Sequence, residues 1–307
     1  MSSLVSGSSL VSAGAITNHV THPHERRSNM KRLALAAATA LAGAAGLAAV
    51  PAIADHHMEA AAPALEEVLA DSRRDGDRAR DQYRNPAETL AFFGVEPGMT
   101  VAEFSPGGGW YTRVLAPYVM GDGKYVAFNT PARQPAEGEG WAKTFTAKVS
   151  EMLGAPEGRI NAFEVGSMPE DMASTVDRVL IFRSMHGLNA GNMADSVLKT
   201  ARQLLKDDGM VGVVQHRAPD GASYDDYGAR QRGYMREADV VNIFEANGFE
   251  LVESSEINAN PKDPANWESG VWTLPPTLAT GEDDPKRSEY LAIGESDRMT
   301  LLFKKAY

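Results

Sequence analysis

The chain has 307 residues, 43% apolar and 23% charged, a balance that suits a globular protein with one sizeable core. It contains no cysteine, which excludes disulfides, thiolate metal sites, a lipoprotein anchor and a cysteine nucleophile. A formal net charge of −11 repels polyphosphates and argues against a nucleic-acid partner.

Residues 1–29 are Ser-rich and unpatterned, either a long n-region or a stretch upstream of a true start at Met30. "RRSNMK" (Arg26 to Lys31) has a twin-arginine look, although Asn29 stands where an apolar residue is expected. Met30-Lys31-Arg32, the apolar run Leu33 to Val50 and "PAIA" then form a basic n-region, an h-region and a small-x-small cleavage site ending at Ala54. The run of 18 residues is near the minimum for a membrane span. Its Ala/Gly richness favours a cleaved signal, giving a periplasmic or secreted protein that begins at Asp55. Loss of 1–54 removes four basic residues and one acidic residue, leaving a net charge of −14. His56 and His57 open that mature chain, and with no third ligand in view no metal site is expected.

Residues 55–84 read as a charged, helical lead-in with a break at Gly76, and 85–307 as one α/β domain. Asn85 is expected to N-cap a helix with Pro86 at its first position and Glu88 at its third. Apolar β-like runs follow at 99–104, 124–129, 160–164, 176–183, 210–216, 249–254 and 298–304. Helical stretches fall between them at about 110–119, 141–153, 189–205 and 236–247. Strands alternating with helices imply crossover units and a mainly parallel sheet. The 256–296 stretch breaks the pattern: it holds five prolines and two tryptophans, and little period. Trp267, Trp272 and Leu274 argue for a lid packed over one end of the sheet rather than a disordered arm.

In an open parallel sheet, ligands bind beyond the carboxyl ends of the strands, beside the first one. There the chain reads Glu103-Phe104-Ser105-Pro106-Gly107-Gly108-Gly109, then Trp110 and Tyr111. Glycines without Cβ atoms let backbone N–H groups approach a ligand ahead of a helix, or simply make a tight bend. No Gly-Lys-Ser/Thr follows, so this is not a P-loop, and the spacing does not fit a dinucleotide fingerprint. Asn129 ends the next strand, where an acidic residue commonly holds ribose hydroxyls. Trp110 and Tyr111 either wall a cofactor or bury the start of the helix.

These residues resemble the first motif of class I S-adenosylmethionine-dependent methyltransferases, with Glu103, Gly107 and Gly109 matching and Ser105 in place of the first glycine. The stretch from about 78 to 304 is similar to a bacterial group of exported, methyltransferase-like proteins. The resemblance implies a Rossmann-like, seven-stranded, mainly parallel sheet with its last strand antiparallel. It implies S-adenosylmethionine as cofactor, with Gly107, Gly108 and Gly109 at its methionine part, Asn129 at the ribose, and Ser167 and Met168 near adenine.

Of seven histidines, His186 and His216 both leave the carboxyl ends of strands expected to be neighbours. Either imidazole is a candidate general base for methyl transfer, or each caps its strand end through a backbone hydrogen bond. Arg183, near His186, would grip a carboxylate of substrate or cofactor, or pair with an acidic lid residue. No Gly-x-Ser-x-Gly elbow supports a hydrolase. The expected function is methyl transfer to a small acceptor; the alternative is an exported ligand-binding protein that keeps the fold without the chemistry. Oligomeric state has no signal in the sequence.

Overall fold

The structure is a computed structural model that describes residues 63–132, 140–227 and 232–307. They belong to one unit, His56–Tyr307. The export signal, its cleavage site, His56 and His57 lie outside the described residues.

Seven strands form one sheet: β1 (Thr100–Phe104), β2 (Lys124–Asn129), β3 (Ile160–Glu164), β4 (Val176–Phe182), β5 (Leu205–His216), β6 (Phe249–Ser255) and β7 (Arg298–Lys305). Their order is β3-β2-β1-β4-β5-β7-β6, and β7 runs antiparallel to both neighbours. This is the seven-stranded α/β fold that the resemblance implies. The order reverses between β1 and β4, which opens a crevice at their carboxyl ends.

Ten helices flank the sheet in the described residues: α1 (Leu65–Ala70), α2 (Asp81–Arg84), α3 (Pro86–Phe92), α4 (Thr112–Val119), α5 (Trp141–Leu153), α6 (Met185–Ala190), α7 (Ala194–Leu204), α8 (Tyr224–Tyr227), α9 (Glu237–Ala246) and α10 (Arg287–Ile293). The period-two alternation of each central strand feeds two cores. Ala102, Phe104, Val179 and Ile181 face one core with α7 and α9, while Val101, Leu180 and Phe182 face the other with α3 and α4. Tertiary packing, rather than propensity, therefore holds β1 and β4 rigid where the crevice opens.

Three local expectations change. Asn85 does not cap α3; its backbone is left-handed (φ 39°) because it also ends α2, and its side chain donates to the Ile257 carbonyl at 2.6 Å. The helix expected at 189–205 is two helices, broken at Gly191 and the left-handed Asn192 (φ 54°). β5 begins at Leu205, directly after α7, with a register shift against β4 where the strand turns in over Gly209. A Cβ at Gly209 would stand 3.0 Å from the Val176 carbonyl oxygen, a backbone atom that cannot step aside as a side chain can, so the tight entry favours glycine there.

The 256–296 stretch carries a 3-10 turn at Gly270–Thr273 as well as α10, and is tied down by polar bonds. Buried Asn258 donates to Thr89 Oγ1 (2.9 Å) and Thr300 Oγ1 (3.0 Å), while Asp263 accepts from Tyr234, Trp267 and the Asp297 backbone N–H. No helix among the described residues is long and apolar enough to cross a membrane.

Candidate functional site

β1 and β4 end alike. Each is followed by a non-glycine residue in left-handed conformation, Ser105 (φ 50°) and Arg183 (φ 54°). Ser105 N–H still donates to the Phe128 carbonyl (2.8 Å) and Arg183 N–H to the Val214 carbonyl (2.6 Å). The ladder is completed, and the chain then turns out over the crevice. Holding each residue there costs about 1–2 kcal/mol, and such strain gathers at functional sites. Ser105 thus adopts a backbone conformation that favours glycine, and adds a side chain.

A cleft of about 480 Å³ lies beyond these ends. Phe104, Ser105, Asn129, Arg183, Ser184 and His186 line it. A second, more closed cavity of about 210 Å³ is lined by His186, Tyr227, Tyr234, Met235 and Trp272. His186 and its neighbour Gly187 belong to both walls.

His186 sits in the first turn of α6, held by Gln215 of β5. The Gln215 Oε1 accepts from Met185 N–H (3.1 Å), and its Nε2 donates to the Gly233 carbonyl (2.8 Å). This fixes the amide, so the Nε2 facing His186 Nδ1 at 3.3 Å presents N–H, and Nδ1 is the lone-pair nitrogen. Burial and, after it, the charge of Arg183 lower the pKa of His186. The ring is therefore neutral at pH 7. The Trp272 ring stands edge-on to it at 6.0 Å.

His216 lies 5.9 Å from His186, ring to ring, but lines neither cavity. It is buried, its Nδ1 is 2.6 Å from Ser296 Oγ, and burial with the charges of Arg298 and Arg183 holds its pKa well below 6.5.

The glycine turn leads into α4, with Gly107 (φ 56°) and Gly109 (φ 77°) left-handed. A Cβ at Gly108 would meet nothing within 4 Å, and one at Gly107 only Ser105 O at 3.9 Å. The turn is therefore open above Ser105, although its glycines do not line the cleft itself. Glu103 points into the protein: its carboxylate accepts from Thr112 Oγ1 (2.9 Å) and Tyr125 OH (2.5 Å), binding β1 to α4 and β2. Ser167 bonds the Glu164 carbonyl and Met168 packs on the core; neither lines the cleft. Trp110 and Tyr111 are buried, Tyr111 stacked on Phe182, so they seat the helix start.

Arg183 does not pair with a lid acid. It adjoins a cluster that the sequence reading passed over: Arg80 and Arg84 from the lead-in, Glu295 from the lid and Arg298 from β7. "RRDGDRARDQYR" reads as a solvated charge run, yet Arg84 is 1% exposed. Arg298 opening an apolar strand, and Gln215 inside "MVGVVQH", were the usable signals, since a polar residue in a buried strand demands partners.

No protein-family profile and no curated protein matches the chain. Among solved structures it is similar to a SAM-dependent methyltransferase from Aquifex aeolicus, at 18% identity over 64% of this chain and 93% of that one, with a TM-score of 0.44. It is also similar to the 1,6-didemethyltoxoflavin-N1-methyltransferase of Burkholderia thailandensis, solved with S-adenosylhomocysteine, at 14% identity over 79% and 87%, TM-score 0.44. A third similar structure is the [4+2]-cyclase SpnF, at 13% identity over 79% and 91%, with a TM-score of 0.49.

Proposed function

We propose that the protein is an S-adenosylmethionine-dependent methyltransferase for a small acceptor, with the cofactor in the larger cleft and the acceptor in the smaller cavity. The observation that carries this reading is His186, which lines both spaces. The residues fit the cofactor. The Gly107–Gly108 backbone has open space above it, Ser105 keeps the left-handed turn, and Asn129 at the end of β2 offers an amide to the ribose hydroxyls. When bound, the cofactor supplies an electrophilic methyl group.

The chain's own part is alignment and proton removal, since methyl transfer to oxygen or nitrogen needs little else. Trp272, Tyr234 and Tyr227 wall the acceptor and exclude water. Neutral His186 takes the acceptor's proton at Nδ1, and its 3.3 Å contact with the Gln215 amide, already long, gives way. His216, bonded to Ser296, holds the wall behind it.

Calorimetric titration with S-adenosylmethionine and S-adenosylhomocysteine tests the reading. Micromolar binding is expected; no heat and no thermal shift at millimolar ligand would sink it in favour of a binding protein. With an acceptor found, His186→Asn is expected to slow transfer by about 10²–10⁴-fold while leaving S-adenosylhomocysteine affinity within a few-fold.

Export belongs to the same reading and rests on the signal sequence alone. Intact-mass analysis of the protein from its native cell is expected to give a chain starting at Asp55. A mass retaining Met30 and the apolar run would refute cleavage.

A further inference from the structure

Three guanidinium groups bond one carboxylate at the carboxyl edge of the sheet, and a fourth, that of Arg183, feels its charge. Glu295 accepts from Arg80 Nε (2.6 Å), from Arg84 Nε (3.2 Å) and from Arg298. Arg84 is 1% exposed, and Arg298 and Glu295 are each 2% exposed. Arg183 approaches from the end of β4 and feels the charges of Arg298, Glu295 and Arg80.

The charges do not balance. Four cations meet one bonded anion; Asp77 is spent on Arg113, Asp81 on Arg74 and Asp297 on Arg217, while Asp263 accepts from Tyr234, Trp267 and the Asp297 N–H. Tyr111 adds no negative charge, because burial pushes its phenol up to about 12, and His216 stays neutral. The hydrogen bonds do not balance either. Arg80 Nη2, both Nη atoms of Arg84, Arg183 Nε and Arg298 Nε are buried without a partner. Water can satisfy such donors, but it leaves the charge in place. The Arg84 guanidinium lies 4.6 Å over the Trp110 ring, which orients it while its Nη edge stays unbonded.

We propose that Arg80, Arg84, Arg183 and Arg298 form a binding site for a doubly charged oxyanion, a phosphate or dicarboxylate group, entered from the cleft at Arg183. Guanidinium forks match such groups with paired N–H donors. Burial and the neighbouring cations pull Arg84 down to about 9 and Arg183 down to about 10, a cost that a dianion would reverse. The amino-acid end of S-adenosylmethionine is a poor match, since its ammonium and sulfonium add positive charge beside the carboxylate. Assigning the oxyanion to the acceptor rests on the methyltransferase reading; the site itself does not.

The test is calorimetry and thermal unfolding of the full chain at pH 7 with inorganic phosphate or malonate, against chloride at equal ionic strength. Saturable binding with a raised Tm is expected. Arg183→Gln, at the partly exposed member, is expected to weaken phosphate at least tenfold and to raise the ligand-free Tm, because surplus charge is removed. Arg80→Gln is a second variant, also partly exposed, with the same expected direction. Equal responses to phosphate and chloride, or unchanged affinity in both variants, would overturn the site. S-adenosylhomocysteine forms the second arm. If it displaces phosphate while 5′-methylthioadenosine, which lacks the amino-acid group, does not, the cluster serves a cofactor tail and the proposal fails. Joint binding of both supports it. Phosphate binding without any S-adenosylhomocysteine binding keeps the site and removes the methyltransferase reading.

Discussion

Glu103 heads the glycine motif, yet its carboxylate is buried under α4, bonded to Thr112 and Tyr125. Burial raises its pKa from 4.5 to about 7, against the two hydrogen bonds that oppose the shift. Below pH 4.5 folded and unfolded forms are both protonated, and burial of the charge costs nothing. As pH rises towards 7 the unfolded chain ionises first, so stability falls through that window and levels off above it, by about 3 kcal/mol. Glu103→Gln keeps the shape without the charge. It is expected to flatten this part of the profile and to be more stable than the parent above pH 7. Denaturant unfolding from pH 4 to 8 checks this, and parallel profiles would refute it. Asn129 and His186 differ from Glu103 in kind, because their side chains line open space that a ligand can fill.

At the scale of elements, all seven strands were legible in the sequence, since each carries apolar residues flanked by turns, although β6 buries only Phe249 of its own. The sheet order was legible only through the resemblance, because periodicity says which residues are buried and not which strands meet. Boundaries failed where one residue serves two elements: Asn85 ends α2 and precedes α3, and Leu205 ends α7 and starts β5. His186 and His216 could be placed at one edge because both follow strands, but their inequality could not. It arises from Ser296 and Gln215, partners 80 and 29 residues away in the chain. The 256–296 stretch was legible from its tryptophans as a packed segment. Its charge role through Glu295 was not, because isolated acids and arginines in a polar run look solvated until a fold removes the water.

Across the whole molecule, an acidic chain buries a local cluster of arginines, and Glu295 is what makes that cluster tenable. It joins segments 211 and 215 residues apart, the lead-in through Arg84 and Arg80, and reaches β7 through Arg298. Burial by itself would raise its pKa; the charges of Arg298, Arg84 and Arg80 outweigh that and hold it at about 2. A depressed carboxyl contributes stability that is fully present above pH 4.5 and lost as pH falls through 2. Glu103 acts in the opposite sense between 4.5 and 7, so these two groups together favour the folded state most near pH 4.5. Glu295→Gln leaves the buried Arg84 and Arg298 and the partly exposed Arg80 without their anion and is expected to cost about 3–5 kcal/mol at pH 7. Its stability is also expected to lose the Glu295 share of the acid dependence between pH 2 and 4.5. If the loss is electrostatic, Arg84→Met in the same chain restores part of it, because the partnerless charge is gone; a purely steric loss would deepen instead. Unfolding of the single and double variants, measured at pH 3 and pH 7, separates these outcomes, and a Glu295→Gln protein as stable as the parent would refute the role.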